Sequence, residues 1–174
     1  LSNYKKGTVF FADDHFVGNI QRTNRLLDLM LKSDFDRTWA AQVRTEVSKD
    51  PGLVSKMRKA GCDTVCIGFE SINPQSLKDM RKGQTLEDIK RSIKVLHDNS
   101  IMVHGMFILG SDSDTKDTFR QTSDFCNDND LDYVQYSVLT PLPGTQLYSK
   151  LEKMGRLLHK KWQFYDGLHA VFKP

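Results

Sequence analysis

Five short apolar runs alternate with amphipathic helical segments along this chain, and that alternation narrows the possible folds more than any other feature. The runs lie at 8–12, 38–43, 64–67, 101–109 and 132–139. Helical periodicity follows each of them. Near 19–31 it carries Ile20, Leu26, Leu27, Met30 and Leu31. The next helix opens at Asp50-Pro51, an N-cap followed by a proline at the first helical position, and closes at Gly61. One helix starts at Asn73-Pro74, and another runs from Thr85 to about Asn99 behind a Thr85–Asp88 capping box. Further helices are expected near 114–126 and 146–154. Strand–helix repetition implies a parallel sheet with right-handed crossovers. The expected fold is α/β: a partial TIM-like barrel of about five parallel βα units, paired in sequential order. The fourth run is nearly all apolar, as for a strand covered on both faces. Residues 155–174, rich in aromatics, are expected to form a carboxyl-terminal extension over the sheet, with Trp162, Tyr165 and His169 at its edge.

At 174 residues the chain suffices for one core domain. Its net charge of +3 gives no argument for nucleic acid or an anionic membrane as partner. No apolar run approaches the about 18 residues of a spanning helix. The opening residues lack a signal-peptide core and an initiator Met, so a cytoplasmic fragment is expected. Three cysteines, at 62, 66 and 126, are too few and too uneven for a disulfide framework. They read as reduced thiols in or near the core. Cys62 and Cys66 are expected to straddle a helix end and a strand and to point apart, so they are not taken as metal ligands.

Three runs end in polar or acidic residues just past the last apolar position. In parallel α/β folds, ligands sit at the carboxyl ends of strands. Asp13-Asp14 follow the first run; they suit a metal, an amino group or a ribose, or a turn that caps its own backbone. Arg44 follows the second and can pair with a carboxylate or form a surface ion pair. Gly68-Phe69-Glu70-Ser71 follows the third. A Glu directly after a buried strand needs a cation or a wet cavity, and Gly68 permits close approach of a ligand. Gly105–Gly110 brackets Phe107 and Ile108, a flat apolar strand end that suits a planar ring or simple core packing. Thr140-Pro141-Leu142-Pro143-Gly144-Thr145 reads as a rigid turn before a helix capped by Thr145.

Taken in order, these segments resemble the radical S-adenosylmethionine (radical SAM) superfamily. Phe10-Phe11-Ala12-Asp13-Asp14-His15-Phe16 is similar to its second barrel strand, Ile67-Gly68-Phe69-Glu70-Ser71 to its fourth, Gly105–Gly110 with Ser111–Thr115 to its fifth, and Leu139–Thr145 to its sixth. The Pro-Gly-Thr turn and the tail with Trp162, Tyr165-Asp166 and His169 are most similar to the cobalamin-binding branch. The resemblance implies strands two to six of an open six-stranded barrel. It implies SAM bound by Asp13 or Asp14 (amino group), Arg44 (carboxylate), Glu70 (ribose), and Phe107, Ile108 and Leu139 (adenine), with Ser71 as a further cofactor-binding residue. It also implies a [4Fe–4S] cluster and a reductant such as ferredoxin or flavodoxin in the intact protein, with a small-molecule substrate; cobalamin is a further candidate. The defining Cys-x3-Cys-x2-Cys loop is absent from this sequence, so the cluster ligands are expected upstream and the fragment alone inactive. An unpaired first strand is then expected to favour self-association.

Two rivals come from other classes. A phosphoacceptor receiver module shares the acidic pair, but it needs an Asp after the third strand and a Lys after the fifth. Here those places hold Gly68-Phe69-Glu70 and Thr140-Pro141. A magnesium-dependent barrel enzyme would use Asp13, Asp14 and Glu70.

Overall fold

In the computed structural model, residues 7–33 and 35–173 are described. Five parallel strands form one sheet in the order β1-β2-β3-β4-β5: Val9–Phe11, Trp39–Val43, Cys62–Glu70, Met102–Leu109 and Tyr133–Val138. Six α-helices connect and follow them: α1 (Ile20–Lys32), α2 (Pro51–Lys59), α3 (Pro74–Asp79), α4 (Leu86–Asp98), α5 (Lys116–Asp128) and α6 (Gln146–Lys153). The sequential order, with no reversal, gives an arc of a barrel rather than a doubly wound sheet.

Local chemistry sets the helix ends. Asn19, Asp50, Asn73 and Thr85 each accept a backbone N–H with the side chain at an N-terminus, and the Thr85–Asp88 capping box is complete. Gly61 closes α2 at φ +95°, a left-handed position that glycine takes without a Cβ penalty. Leu27, Leu53, Val54, Met57, Ile89, Ile93, Leu96 and Phe125 on the helices pack against Trp39, Val65, Ile67, Phe69, Val103 and Phe107 on the strands. At the first edge, Phe11, Phe16 and Trp39 meet with ring centroids 5.0–5.3 Å apart, and Trp39 Nε1 donates to the Ala60 carbonyl.

Alternation separates two faces. In β3, Val65, Ile67 and Phe69 are buried while Thr64, Cys66, Gly68 and Glu70 are half-buried; in β4, Val103, Gly105 and Phe107 are buried while His104, Met106 and Ile108 are half-buried. Among the described residues only the helix side of β4 is fully buried, so its apolar character does not mean two covered faces as expected. The concave face is open. The third strand is also longer than its apolar run, beginning at Cys62 rather than Thr64. Cys62 and Cys66 therefore share one strand. A register irregularity opposite Trp39/Ala40 turns Cys62 to the helix-side core and leaves Cys66 on the concave face.

A smaller cluster forms at the carboxyl end, where Leu151, Tyr165, Val171 and Phe172 pack together with Leu139 against them. Val138 N–H donates to the Gly167 carbonyl at 2.6 Å, so this tail meets the edge strand directly. Arg156 pairs with Asp112 and donates to the Lys173 carbonyl, which ties the tail to the loop after β4. Tyr165 is buried there, but Trp162 is 67% exposed.

Candidate S-adenosylmethionine-binding rim

The carboxyl ends of all five strands lie on one rim because the strands are parallel and in register. Glu70 occupies the most distorted backbone on that rim. The β3–β4 ladder pairs Gly68 with Met106 and then Glu70 with Phe107, skipping Phe69. Ser71 N–H bonds back to the Phe69 carbonyl at 2.8 Å, and Glu70 sits at the centre of this turn with φ +63°. A three-residue turn with positive φ at a residue other than glycine is rare and strained. Bulges of this kind re-aim a side chain beside active sites. Here the carboxylate folds back over Gly68, where an added Cβ would stand 2.6 Å from Glu70 Oε1.

Lys82 meets that carboxylate, with Nζ 2.9 Å from Oε1; the two side chains are 29% and 20% exposed. The segment that carries Lys82 is held down by Gln84, whose amide donates to the Phe69 carbonyl at 2.8 Å and whose carbonyl accepts from Thr45 Oγ1. Sequence reasoning missed Lys82. It lies in a polar Arg81–Gln84 loop, and only the left-handed backbone at Arg81 (φ +53°) and Gly83 (φ +62°) brings it back over β3.

The loop after β4 is equally ordered. Asp114 accepts from the Gly110 and Ser111 N–H groups at 2.8 and 2.9 Å. Ser76 on α3 hydrogen-bonds Ser111 and Ser113 through its hydroxyl. The two neighbouring strand ends are thus cross-tied by side chains rather than left as free loops.

The other expected residues fall in different places. Asp13 pairs with Arg22 on α1 at 3.4 Å, and Asp14 is exposed. The following turn is anchored by Phe16 N–H to the Gln42 carbonyl and by Thr23 Oγ1 to the Phe16 carbonyl, which fixes both acids at the end of β1. Arg44 is exposed at the end of β2, beside His15, and its charge helps lower the His15 pKa, behind the larger effect of burial. Ser71 is buried and accepts from Asn73 N–H, so its hydroxyl serves the turn. Ile108 lies half-buried on the concave face.

Phe107 requires correction. Its ring is 1% exposed and packs between Phe69 (5.7 Å) and Tyr136 (6.0 Å) on the helix side, so it cannot line an open cavity. Gly105 likewise serves that core: a Cβ there would press on the Phe69 ring at 3.0 Å. Leu139 packs against the tail cluster, which takes up part of the surface assigned to adenine.

The thiols do not fit an iron–sulfur cluster. Cys62 is in the core, Cys66 on the concave face, and Cys126 on α5 receives the Tyr136 hydroxyl at 3.6 Å. Burial raises the pKa of all three, most strongly for Cys62, against the thiolate form that binds metal. Among the described residues no three metal-ligating side chains converge. Asp13, Asp14 and Glu70, the acids of the magnesium-barrel rival, are thus not gathered into one group among the described residues.

Comparison with known proteins agrees with this geometry. The chain is 33% identical over 171 residues to bacteriochlorophyllide d C-12(1)-methyltransferase of Chlorobaculum tepidum, an alignment covering 98% of this chain and 37% of that protein. It is 28% identical to the anaerobic magnesium-protoporphyrin IX monomethyl ester cyclase of Rubrivivax gelatinosus, over 100% of this chain and 31% of that one. It therefore spans about a third of the length of these relatives. Among solved structures, the radical SAM methyltransferase TsrM from Kitasatospora setae, with cobalamin and a [4Fe–4S] cluster bound, superposes with a TM-score of 0.73 at 20% identity, over 84% of this chain and 28% of that one. The sequence profile of the Radical SAM superfamily matches residues 5–126, and with that match the chain belongs to the radical SAM superfamily.

Proposed function

We propose that this chain forms the SAM-binding rim and the concave substrate face of a radical SAM enzyme. In this superfamily a [4Fe–4S] cluster supplies the electron that cleaves SAM to a 5′-deoxyadenosyl radical. The thiols described here do not hold such a cluster, so what this chain contributes is binding and orientation. Glu70 carries the reading: a strained acid, aimed by a bulge and poised by Lys82 over a glycine. Glu70 would accept hydrogen bonds from the ribose hydroxyls. Lys82, one ion-pair distance away, suits the SAM carboxylate better than exposed Arg44. Asp13 or Asp14 would take the amino group, and Ile108 would flank the adenine. Methyl transfer is the reaction class favoured by the 33% identical relative, with cobalamin as a cofactor of the whole protein. Ferredoxin or flavodoxin would serve as the reductant, in the cytoplasm.

The test is calorimetric titration of SAM into the enzyme that carries this chain. Charge-assisted hydrogen bonds contribute roughly 1.5–3 kcal/mol, so Glu70→Gln is expected to weaken SAM about ten- to a hundredfold with the melting temperature nearly unchanged. Lys82→Met is expected to weaken it similarly. Unchanged affinity together with lost stability would reduce the pair to a structural ion pair and remove Glu70 from the site.

A further inference from the structure

One row across the middle of the concave face combines a thiol and an imidazole that the SAM rim does not use. Gln42 pairs with Cys66, Cys66 with His104 and His104 with Tyr133 in adjacent strands. Cys66 Sγ lies 3.7 Å from His104 Nδ1. Neither side chain has another hydrogen bond among the described residues, and His104 Nε2 is not a buried orphan. The ring of Tyr133 stands edge-on to the imidazole at 6.2 Å and is 52% exposed. Cys66 is four residues down β3 from Glu70, roughly 13 Å at 3.3 Å per residue.

We propose that Cys66 and His104 form a substrate-orienting donor, in which the Cys66 S–H donates to His104 Nδ1 and the His104 Nε2–H is offered to an oxygen acceptor of the substrate. An imidazole nitrogen is a better acceptor than a thiol sulfur, so the 3.7 Å contact is read with the S–H donating to Nδ1, and burial, which raises the Cys66 pKa, favours the protonated thiol this needs. The ring proton then resides on Nε2, where no protein group competes for it. The matching ligand is a flat, largely apolar molecule with a carboxylate or carbonyl oxygen, its body against the exposed ring of Tyr133 beside the imidazole. His104 is the binding group, and Cys66 is a positioning residue that acts through it. This inference rests on the reading of the concave face as the substrate surface.

The test uses 15N-histidine-labelled protein at neutral pH, with 1-naphthoate as probe and 1-naphthylmethylammonium as the flat control without an acceptor. His104 is expected as the Nε2–H tautomer; Cys66→Ala should mix the tautomers and Cys66→Ser should restore one. Naphthoate, and not the ammonium control, should shift the His104 Nε2 resonance. His104→Leu should weaken naphthoate about tenfold while His104→Gln, which keeps a donor at the same reach, largely retains it. An Nδ1–H tautomer, or equal naphthoate affinity in His104→Leu, would overturn the proposal. SAM is titrated into the same samples: SAM binding with naphthoate indifferent to His104 sinks this inference alone, and the converse result sinks the reading of the rim.

Discussion

Glu70 and Gly68 act as one unit. The chain accepts a strained φ at Glu70 and omits a side chain at Gly68, and together these place a carboxylate against Lys82 at a strand end. Gly68→Ala is therefore expected to lower SAM affinity about tenfold with little loss of stability. The atoms that its methyl would meet, Glu70 Oε1 at 2.6 Å and Lys82 Nζ at 3.4 Å, are the ends of flexible side chains. A titration showing full affinity would mean that the carboxylate position does not matter. His15 offers a second residue-scale prediction. Its pKa is lowered from 6.5, first by burial and then by Arg44, and its Nδ1 is buried without a hydrogen-bond partner among the described residues. The unfolded chain then binds more protons than the fold between the depressed value and 6.5, so stability falls as pH drops through that window. Thermal melts should show a steeper acid loss in the wild type than in His15→Gln; parallel curves would contradict this. Glu70 stood out as a candidate in the sequence because an acid directly after a buried strand is unusual. Lys82 was not, since nothing in a polar loop reveals where a left-handed turn will send it.

Among the elements, the helices were the most legible because their caps are local chemistry: Asp50-Pro51, Asn73-Pro74 and Thr85 with Asp88 all mark observed ends. Strand faces were harder. Phe107 and Ile108 are equally apolar, and only the register decides that the first enters the helix-side core and the second the concave face. Cys62 was misplaced beside its strand because one irregular pairing at Trp39/Ala40 extends β3 past the apolar run. The edge strand β1 pairs only with β2 among the described residues, and Phe10 on it is half exposed. Unprotected edges invite pairing with another chain. Light scattering of the 174-residue chain is expected to show concentration-dependent association that Phe10→Lys reduces; a monomer across the micromolar range would count against it.

For the described residues, one covered face and one open face follow from five strands paired in order with helices packed on one side, a cover that thins at β5, where Tyr136 is 42% exposed. The arc was legible because strand–helix alternation implies parallel pairing, and strand-end polarity singled out the candidate rim. The tail's small core was legible only as aromatic composition, since its contacts, Val138 to Gly167 and Arg156 to Asp112, are long-range. The central claim is that SAM binds at the carboxyl rim, over Glu70 and Lys82. Hydrogen exchange with and without SAM tests it most directly, on the enzyme that carries this chain. The account predicts added protection at 12–16, 68–72, 82–84 and 108–111, and none at the opposite strand ends near 62–64, 101–103 and 132–134. Protection confined to those opposite ends, or no change at 68–72 under saturating SAM, would contradict it.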